Sequence, residues 1–224
     1  PQAQSAGSFD FNAFITESKE TLLNPKAYFA ALKTTGGMAE PLIKAVIYGA
    51  VAGVFAFLWS VLKIGAVTGG MFGGAVGVMV FVWYIIAAVI GLFIGAVIVL
   101  VISAICKGST DFESNVRVTA SLMVVMPIGA LLGFAGGINL YLGAVVTLCV
   151  NIFSLWLLYN ALNETLKAKQ ETTKIVSYVL IALFVLGMLI KIATLRKANQ
   201  FMEGFKNSDF KEMMKDMEKE KENN

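Results

Sequence analysis

Between Lys63 and Lys107 the chain carries no charged residue. No soluble helix is apolar all round over such a length. The Gly-rich first part, through Gly74, reads as a connection. Ala75 to Cys106 then reads as one apolar helix of about 30 residues, which at ~1.5 Å per residue crosses a hydrocarbon core of ~30 Å with a marked tilt. Val78 to Val101 holds sixteen Val, Ile, Leu or Phe residues. At roughly −0.3 to −0.6 kcal/mol each, their sum outweighs anything the intervening glycines cost. This stretch makes the chain an integral membrane protein.

Hydrophobic residues make up 57% of the chain and charged ones 15%, against ~45–50% and ~25% in soluble domains. In 224 residues, four or five spans and their turns leave no room for a separate soluble catalytic domain. The net charge of +3, with both signs interspersed outside the spans, provides no electrostatic basis for nucleic-acid binding, so the lipid bilayer is the expected neighbour. Cys106 and Cys149 lie in apolar surroundings, where a thiol acts as a small hydrophobe and no disulfide is expected. The start, PQAQSAGSFDFNAF, lacks a basic region followed by an apolar core. It is not read as a cleaved signal, and targeting falls to the first span.

The expected fold is all-α: a polytopic membrane bundle of five transmembrane helices with amphipathic helices at both ends. Residues 1–41 form the N-terminal segment. Asp10 can cap a helix with Phe11, Phe14 and Ile15 on one face, and Asn24-Pro25 restarts it with Tyr28, Phe29 and Leu32 as the next apolar stripe. Lys19, Lys26 and Lys33 suit an anionic leaflet at on the order of 1 kcal/mol each; the other reading packs both helices against the bundle. The bundle occupies 42–191, with spans at about 42–62, 75–106, 118–135, 139–159 and 175–191. Lys44 and Lys63 flank the first span and can snorkel to the headgroups. The third and fourth spans form a hairpin broken at Gly136-Gly137-Ile138-Asn139, with Pro127 kinking its first arm. A count of four stands if this hairpin only dips into the membrane. The fifth span is short, which sends Lys174 and Lys191 outward from its ends.

Glycines spaced by four recur at Gly49 and Gly53, Gly91 and Gly95, and Gly129 and Gly133, where smooth helix faces let another backbone approach. Among the polar residues inside the spans, Asn151 is the costliest to leave in lipid and is expected to face another helix, with Ser154 and Thr147 nearby. None of the polar residues read as lying inside the spans, Ser103, Ser121, Thr147, Asn151, Ser154 and Ser177, is ionisable. An ion-coupled carrier would bury an acid or a His, and the chain has no His. No metal-ligand spacing, nucleophile elbow or phosphate loop is present, so no catalytic residue, cofactor or metal is expected. The tail, 192–224, carries a candidate amphipathic helix at 208–220. Its apolar face, Phe210, Met213, Met214 and Met217, fits a partner helix or the bilayer surface.

Three stretches then resemble the Yip family, membrane proteins named for their interaction with Ypt and Rab GTPases, in its compact bacterial-type form. ESKETLLNPKAYFAAL, Glu17 to Leu32, is similar to the family's entry segment, with a Pro and an aromatic before the first span. KGSTDFESNVRVTASLMVVMP, Lys107 to Pro127, resembles its loop of small and charged residues leading into a span with a mid-helix Pro. LLYNALNETLKAKQETTKIVSYVLI, Leu157 to Ile181, is like the polar loop before the last span. The resemblance implies five spans, a cytosolic N-terminus and, in eukaryotic relatives, a role in vesicle trafficking; it implies no catalytic residues.

The function expected is a non-enzymatic membrane scaffold or adaptor, with other membrane proteins or a second copy as partners. The competing reading is a channel or small-solute carrier with a polar path near Asn151. The location expected is a bacterial inner membrane with the N-terminus cytosolic. Lys19, Lys26, Lys33, Lys44, Lys107, Arg117, Lys167, Lys169 and Lys174 share one side, against Lys63 in the internal loops of the other. The tail's Lys191, Arg196, Lys197 and Lys206 pull the other way, but later charges yield to earlier helices, so the tail is expected outside.

Overall fold

Asp10 starts the first helix as the sequence predicts: its carboxylate accepts the N–H groups of Asn12 and Ala13 at 2.9 and 3.0 Å. The computed structural model describes residues 9–62, 64 and 73–194, and no strand occurs among them. Helix α1 runs Phe11–Leu23 and α2 runs Pro25–Ala31, the proline taking the first helical position, where its missing N–H has no intrahelical partner to lose. Of the two readings of these helices, packing on the bundle is the one observed. Phe14 is buried with its ring 5.1 Å from that of Tyr48, and Phe29 is fully buried. The Phe29 carbonyl accepts the Thr165 hydroxyl at 2.6 Å. Phe11, Ile15 and Leu23 remain exposed on the other flank of α1.

Five helical stretches among the described residues are long and apolar enough to span a membrane. They are α3 (Ala39–Val61), α4 (Gly73–Ile105), an interrupted stretch from Phe112 to Ile138, α8 (Leu140–Asn160) with its continuation to Thr165, and α9 (Gln170–Thr194). The third consists of α5 (Phe112–Leu122), α6 (Val125–Leu131), a 3-10 turn at Leu132–Phe134 and α7 (Ala135–Ile138). The first break lies just ahead of Pro127, where a proline cannot donate and its ring crowds the carbonyl four residues back. That carbonyl, on Met123, instead accepts Met126 N–H at 2.9 Å. The hairpin turns where expected: Asn139 is extended and caps α8 by accepting Tyr141 and Leu142 N–H.

Two expectations are corrected. The third helical stretch starts at Phe112, ahead of 118, because Asp111 caps it, accepting Ser114 N–H at 2.8 Å and the Ser114 hydroxyl at 2.7 Å. The stretch therefore includes Glu113 and Arg117. The fifth helix has 25 residues, about 37 Å at the standard rise, so it is not short and Lys174 and Lys191 lie within it. The chain divides into units at Phe184 and Val185; of the second, the described part is the end of α9.

At one end of the bundle, the loop after α4 and the loop after α8 bond to each other. Ser109 N–H donates to the Leu166 carbonyl and Lys169 N–H to the Cys106 carbonyl, both at 2.7 Å. Each loop turns through a lysine with positive φ, Lys107 at 59° and Lys167 at 53°. After Lys107 the Gly108 N–H reaches back to the Ser103 carbonyl and Lys107 N–H to that of Ala104, a Schellman closure that satisfies the last helical carbonyls. A π turn at Ala161–Thr165 ends α8.

The glycine ladders divide by what they meet. A Cβ on Gly49 would stand 2.6 Å from Ala88 Cβ and 3.1 Å from the Tyr84 carbonyl, and one on Gly53 would stand 2.9 Å from the Phe81 ring. These two glycines let α3 lie close along α4. Gly95 meets Thr119 of α5 in the same way. Gly129 has only Val150 at van der Waals distance, and Gly91 and Gly133 have open space. Gly49→Leu is therefore expected to lower stability by about 1–3 kcal/mol, the usual cost of overpacking, whereas Gly91→Leu should leave the thermal midpoint in detergent within error of wild type. Equal midpoints for the two variants would show that α3 and α4 do not pack through this face.

Candidate functional site: a chain of ion pairs where α1, α3 and α5 meet

Lys44 does not snorkel. Its side chain is 5% exposed, and its ammonium donates to Glu17 Oε2 of α1 at 2.6 Å while lying 2.8 Å from Glu40 Oε1. The α1 helix closes over it and supplies the first of these carboxylates. The other oxygen of Glu40 accepts Arg117 Nη1 at 3.1 Å, so one carboxylate on α3 joins a lysine of its own helix to an arginine of α5. Arg117, 4% exposed, donates from Nε to Glu113 Oε1 at 3.2 Å and from Nη2 to the Gly37 carbonyl at 2.9 Å. Gly37 N–H returns a bond to the same Glu113 oxygen at 2.6 Å.

The sequence builds this arrangement from two local pairs. Glu40 and Lys44 are i,i+4 at the start of α3, and Glu113 and Arg117 are i,i+4 at the start of α5, a spacing that stacks side chains on one helix face. The guanidinium fork then uses separate N–H groups on Glu113, Glu40 and a backbone carbonyl, a pattern a lysine cannot reproduce. The turn before α3 must hug it. Gly36 has φ +127°, and a Cβ there would stand 2.7 Å from Arg117 Nη2, so the position excludes other residues both by conformation and by space. Around the ion pairs, Ser18 shares a hydrogen bond with the Tyr48 hydroxyl at 2.7 Å, and Tyr28 with Ser121 at 2.8 Å. At the adjoining loop Asp111, outside the spans, is held below the usual carboxylate value by Ser114, whose hydroxyl and N–H both donate to it.

A cavity of about 560 Å³ opens beside the ion pairs. Phe9, Phe14, Tyr28 and Ile43 contribute its apolar wall, and Glu17, Lys33, Glu40, Lys44 and Arg117 its polar one. Lys19 and Lys33 are exposed, and Lys26 is exposed with its ammonium 4.0 Å from Glu164. On α8, Ser154 and Thr147 donate to carbonyls of their own helix, those of Val150 and Gly143, at 2.8 and 2.7 Å. Asn151 is half-buried, and no side-chain hydrogen bond of it occurs among the described residues. Phe210, Met213, Met214 and Met217 lie outside the described residues. Sequence reasoning placed Glu113 and Arg117 in a loop and Lys44 at the headgroups, and so missed the chain of ion pairs that joins α1, α3 and α5; the two i,i+4 pairs at the starts of two apolar stretches were the available signal.

Removing Arg117 leaves Glu40 and Glu113 without their buried partner. Arg117→Ala is expected to cost about 3–5 kcal/mol, and Arg117→Lys to recover only part of it. Lys26→Ala, at an exposed pair, should change stability by no more than about 1 kcal/mol. Thermal unfolding in a mild detergent orders the three variants; an Arg117→Ala midpoint equal to that of Lys26→Ala would show the ion pairs to be incidental.

Residues 19–191 match the family model of the Yip1 domain. No curated protein and no solved structure matches the chain. The matched region takes in the end of α1, the ion pairs with Glu40, Lys44, Glu113 and Arg117, and, among the described residues, every stretch long enough to cross a membrane except the last residues of α9. This integral membrane helix bundle therefore belongs to the Yip family.

Proposed function

We propose that this Yip-family protein is a non-enzymatic scaffold or adaptor that binds other membrane proteins within the bilayer, with a role in membrane organisation or trafficking. The observation that carries the reading is α9: it is 25 residues long, and none of its most apolar window is buried. A helix apolar on all sides must be covered by lipid or by protein, and Ile175, Tyr178, Val179 and Leu183 present large side chains for that purpose. The polar chemistry supports the same reading. Lys44 and Arg117 are committed to carboxylates of the chain itself, so the buried charges serve to join helices. Thr147 and Ser154 bond within α8, which disfavours a carrier path along that helix.

A photoreactive amino acid at Tyr178 or Val179, activated in native membranes, is expected to form a discrete adduct with a second protein or a second copy. Adducts with lipid alone would count against the scaffold. Reproducible solute flux in proteoliposomes that Asn151→Leu abolishes would replace it with the carrier.

The location proposed is a bacterial inner membrane with the N-terminus cytosolic. Five spans put the tail on the other side, and Lys107, Lys167 and Lys169, in the loops between α4 and α5 and between α8 and α9, support a cytosolic side for those loops. Single cysteines at Ser5 and Asn224, in a Cys106→Ala, Cys149→Ala background, should show Asn224 labelled and Ser5 protected from an impermeant thiol reagent on intact cells. Protection of both would demand an even number of spans.

A further inference from the structure

The cavity beside the ion pairs has two unlike halves. Its lining holds Asp10, Glu17 and Glu40 together with Lys33, Lys44 and Arg117, so acids and bases balance and a ligand of single charge gains nothing from the net field. The two signs are not equally accessible. Lys44 and Arg117 are 5% and 4% exposed and each is paired with two carboxylates, whereas Glu17 and Glu40 are each 42% exposed. Glu17 accepts Lys44 through Oε2, and its Oε1 takes no hydrogen bond among the described residues. What the cavity offers beside its floor is therefore carboxylate, and an ammonium group is the complement. Lys33 on the wall is exposed, with no ion pair among the described residues, and is the one free cation there for an anion attached to that ammonium.

The apolar wall says where such a zwitterion comes from. Ile43 lines the cavity and heads an exposed apolar stripe down α3 that continues through Val46, Val54, Leu58 and Val61. In a bundle that spans the bilayer, that stripe faces acyl chains, and the cavity lies at its end. Phe11 and Ile15, exposed on α1, add apolar surface at the same end of the bundle.

We infer that this cavity is a lipid headgroup site for a zwitterionic phospholipid with a primary amine. The ammonium lies against Glu17 and Glu40, the phosphate takes Lys33, and the acyl chains follow the α3 stripe. A primary ammonium donates three hydrogen bonds to carboxylates, whereas a trimethylated one donates none, so phosphatidylethanolamine is preferred to phosphatidylcholine. An anionic headgroup meets the exposed carboxylates and is disfavoured.

The test uses the full chain in nanodiscs made from equal parts phosphatidylethanolamine, phosphatidylcholine and phosphatidylglycerol, with the lipid retained on release into detergent read by native mass spectrometry. Phosphatidylethanolamine should be enriched over phosphatidylcholine by about tenfold, the scale of one charge-assisted hydrogen bond. Glu17→Gln should abolish the enrichment while Lys44 keeps Glu40. Ala31→Trp, in the cavity wall but in none of the ion pairs, should lower retention of every lipid and guards against Glu17→Gln acting through misfolding. Equal retention of the amine and choline lipids, a preference for phosphatidylglycerol, or enrichment that survives both variants would overturn the assignment. Displacement of the lipid by soluble phosphoethanolamine at equal concentration would overturn its source, since the acyl chains would then contribute nothing.

Discussion

Glu40 has two oxygens and a cation on each. Lys44 lies 2.8 Å from one and Arg117 3.1 Å from the other, and through this carboxylate α3 is joined to α5. Apart from the Trp59 indole N–H, which donates to the Ala130 carbonyl of α6 at 3.0 Å, the apolar side chains of the bundle do not supply that directionality, because lipid tails compete equally with Leu and Val for helix surfaces. Apolar helices slide and rotate against one another at little cost; helices fixed by a shared carboxylate at one end cannot. The ion pairs therefore set which faces meet, and close packing at Gly49 and Gly53 follows along the length of α3.

Buried ion pairs are weak evidence of stability, since desolvation offsets much of the attraction. Their position softens that cost here. Glu17 and Glu40 keep about two-fifths of their side-chain surface exposed, and Glu40 lies in the first turn of α3, where the helix N-terminus favours negative charge. Glu113, in the first turn of α5, gains in the same way. The cations carry the burial and the anions keep the solvent. Placing both signs deep in the spans would cost far more, and the described spans have their charged residues near one end, apart from Lys191 of α9.

Local sequence patterns determine local structure, and those parts were legible. An uncharged run identified the second span, Asp10 and Asn139 marked helix starts, and Asn24-Pro25 marked a restart, because each acts on neighbours within four residues. KGSTDFESNVR was harder. Its mixed charges read as loop, yet Asp111 caps a helix whose next turns bury Asn115 and Arg117 completely or nearly so. Charge in a short segment signals solvent only when the segment has no distant partner, and Arg117 finds Glu40 and Gly37 from another part of the chain. Lys44 is the same case: a lysine near a helix end snorkels unless a carboxylate arrives, and Glu17 arrives from α1. The glycine ladders show the converse, since equal spacing at Gly49 and Gly91 gave no sign that one is packed and the other open.

The order in which these contacts loosen follows from how each charge is shared. Detaching α1 costs Lys44 its bond to Glu17 but leaves Glu40 at 2.8 Å, so no buried charge is abandoned. Separating α3 from α5 is different: Arg117 would keep Glu113 of its own helix but lose Glu40 and Gly37 together. The α1 helix is held further by Phe14 on Tyr48 and by the Ser18 to Tyr48 hydrogen bond, contacts that water can replace in part at the bundle's end. Local opening draws on the least costly contacts first. The α1 helix is thus the part of this end that can move while the span helices keep their register, and the cavity it covers opens with it.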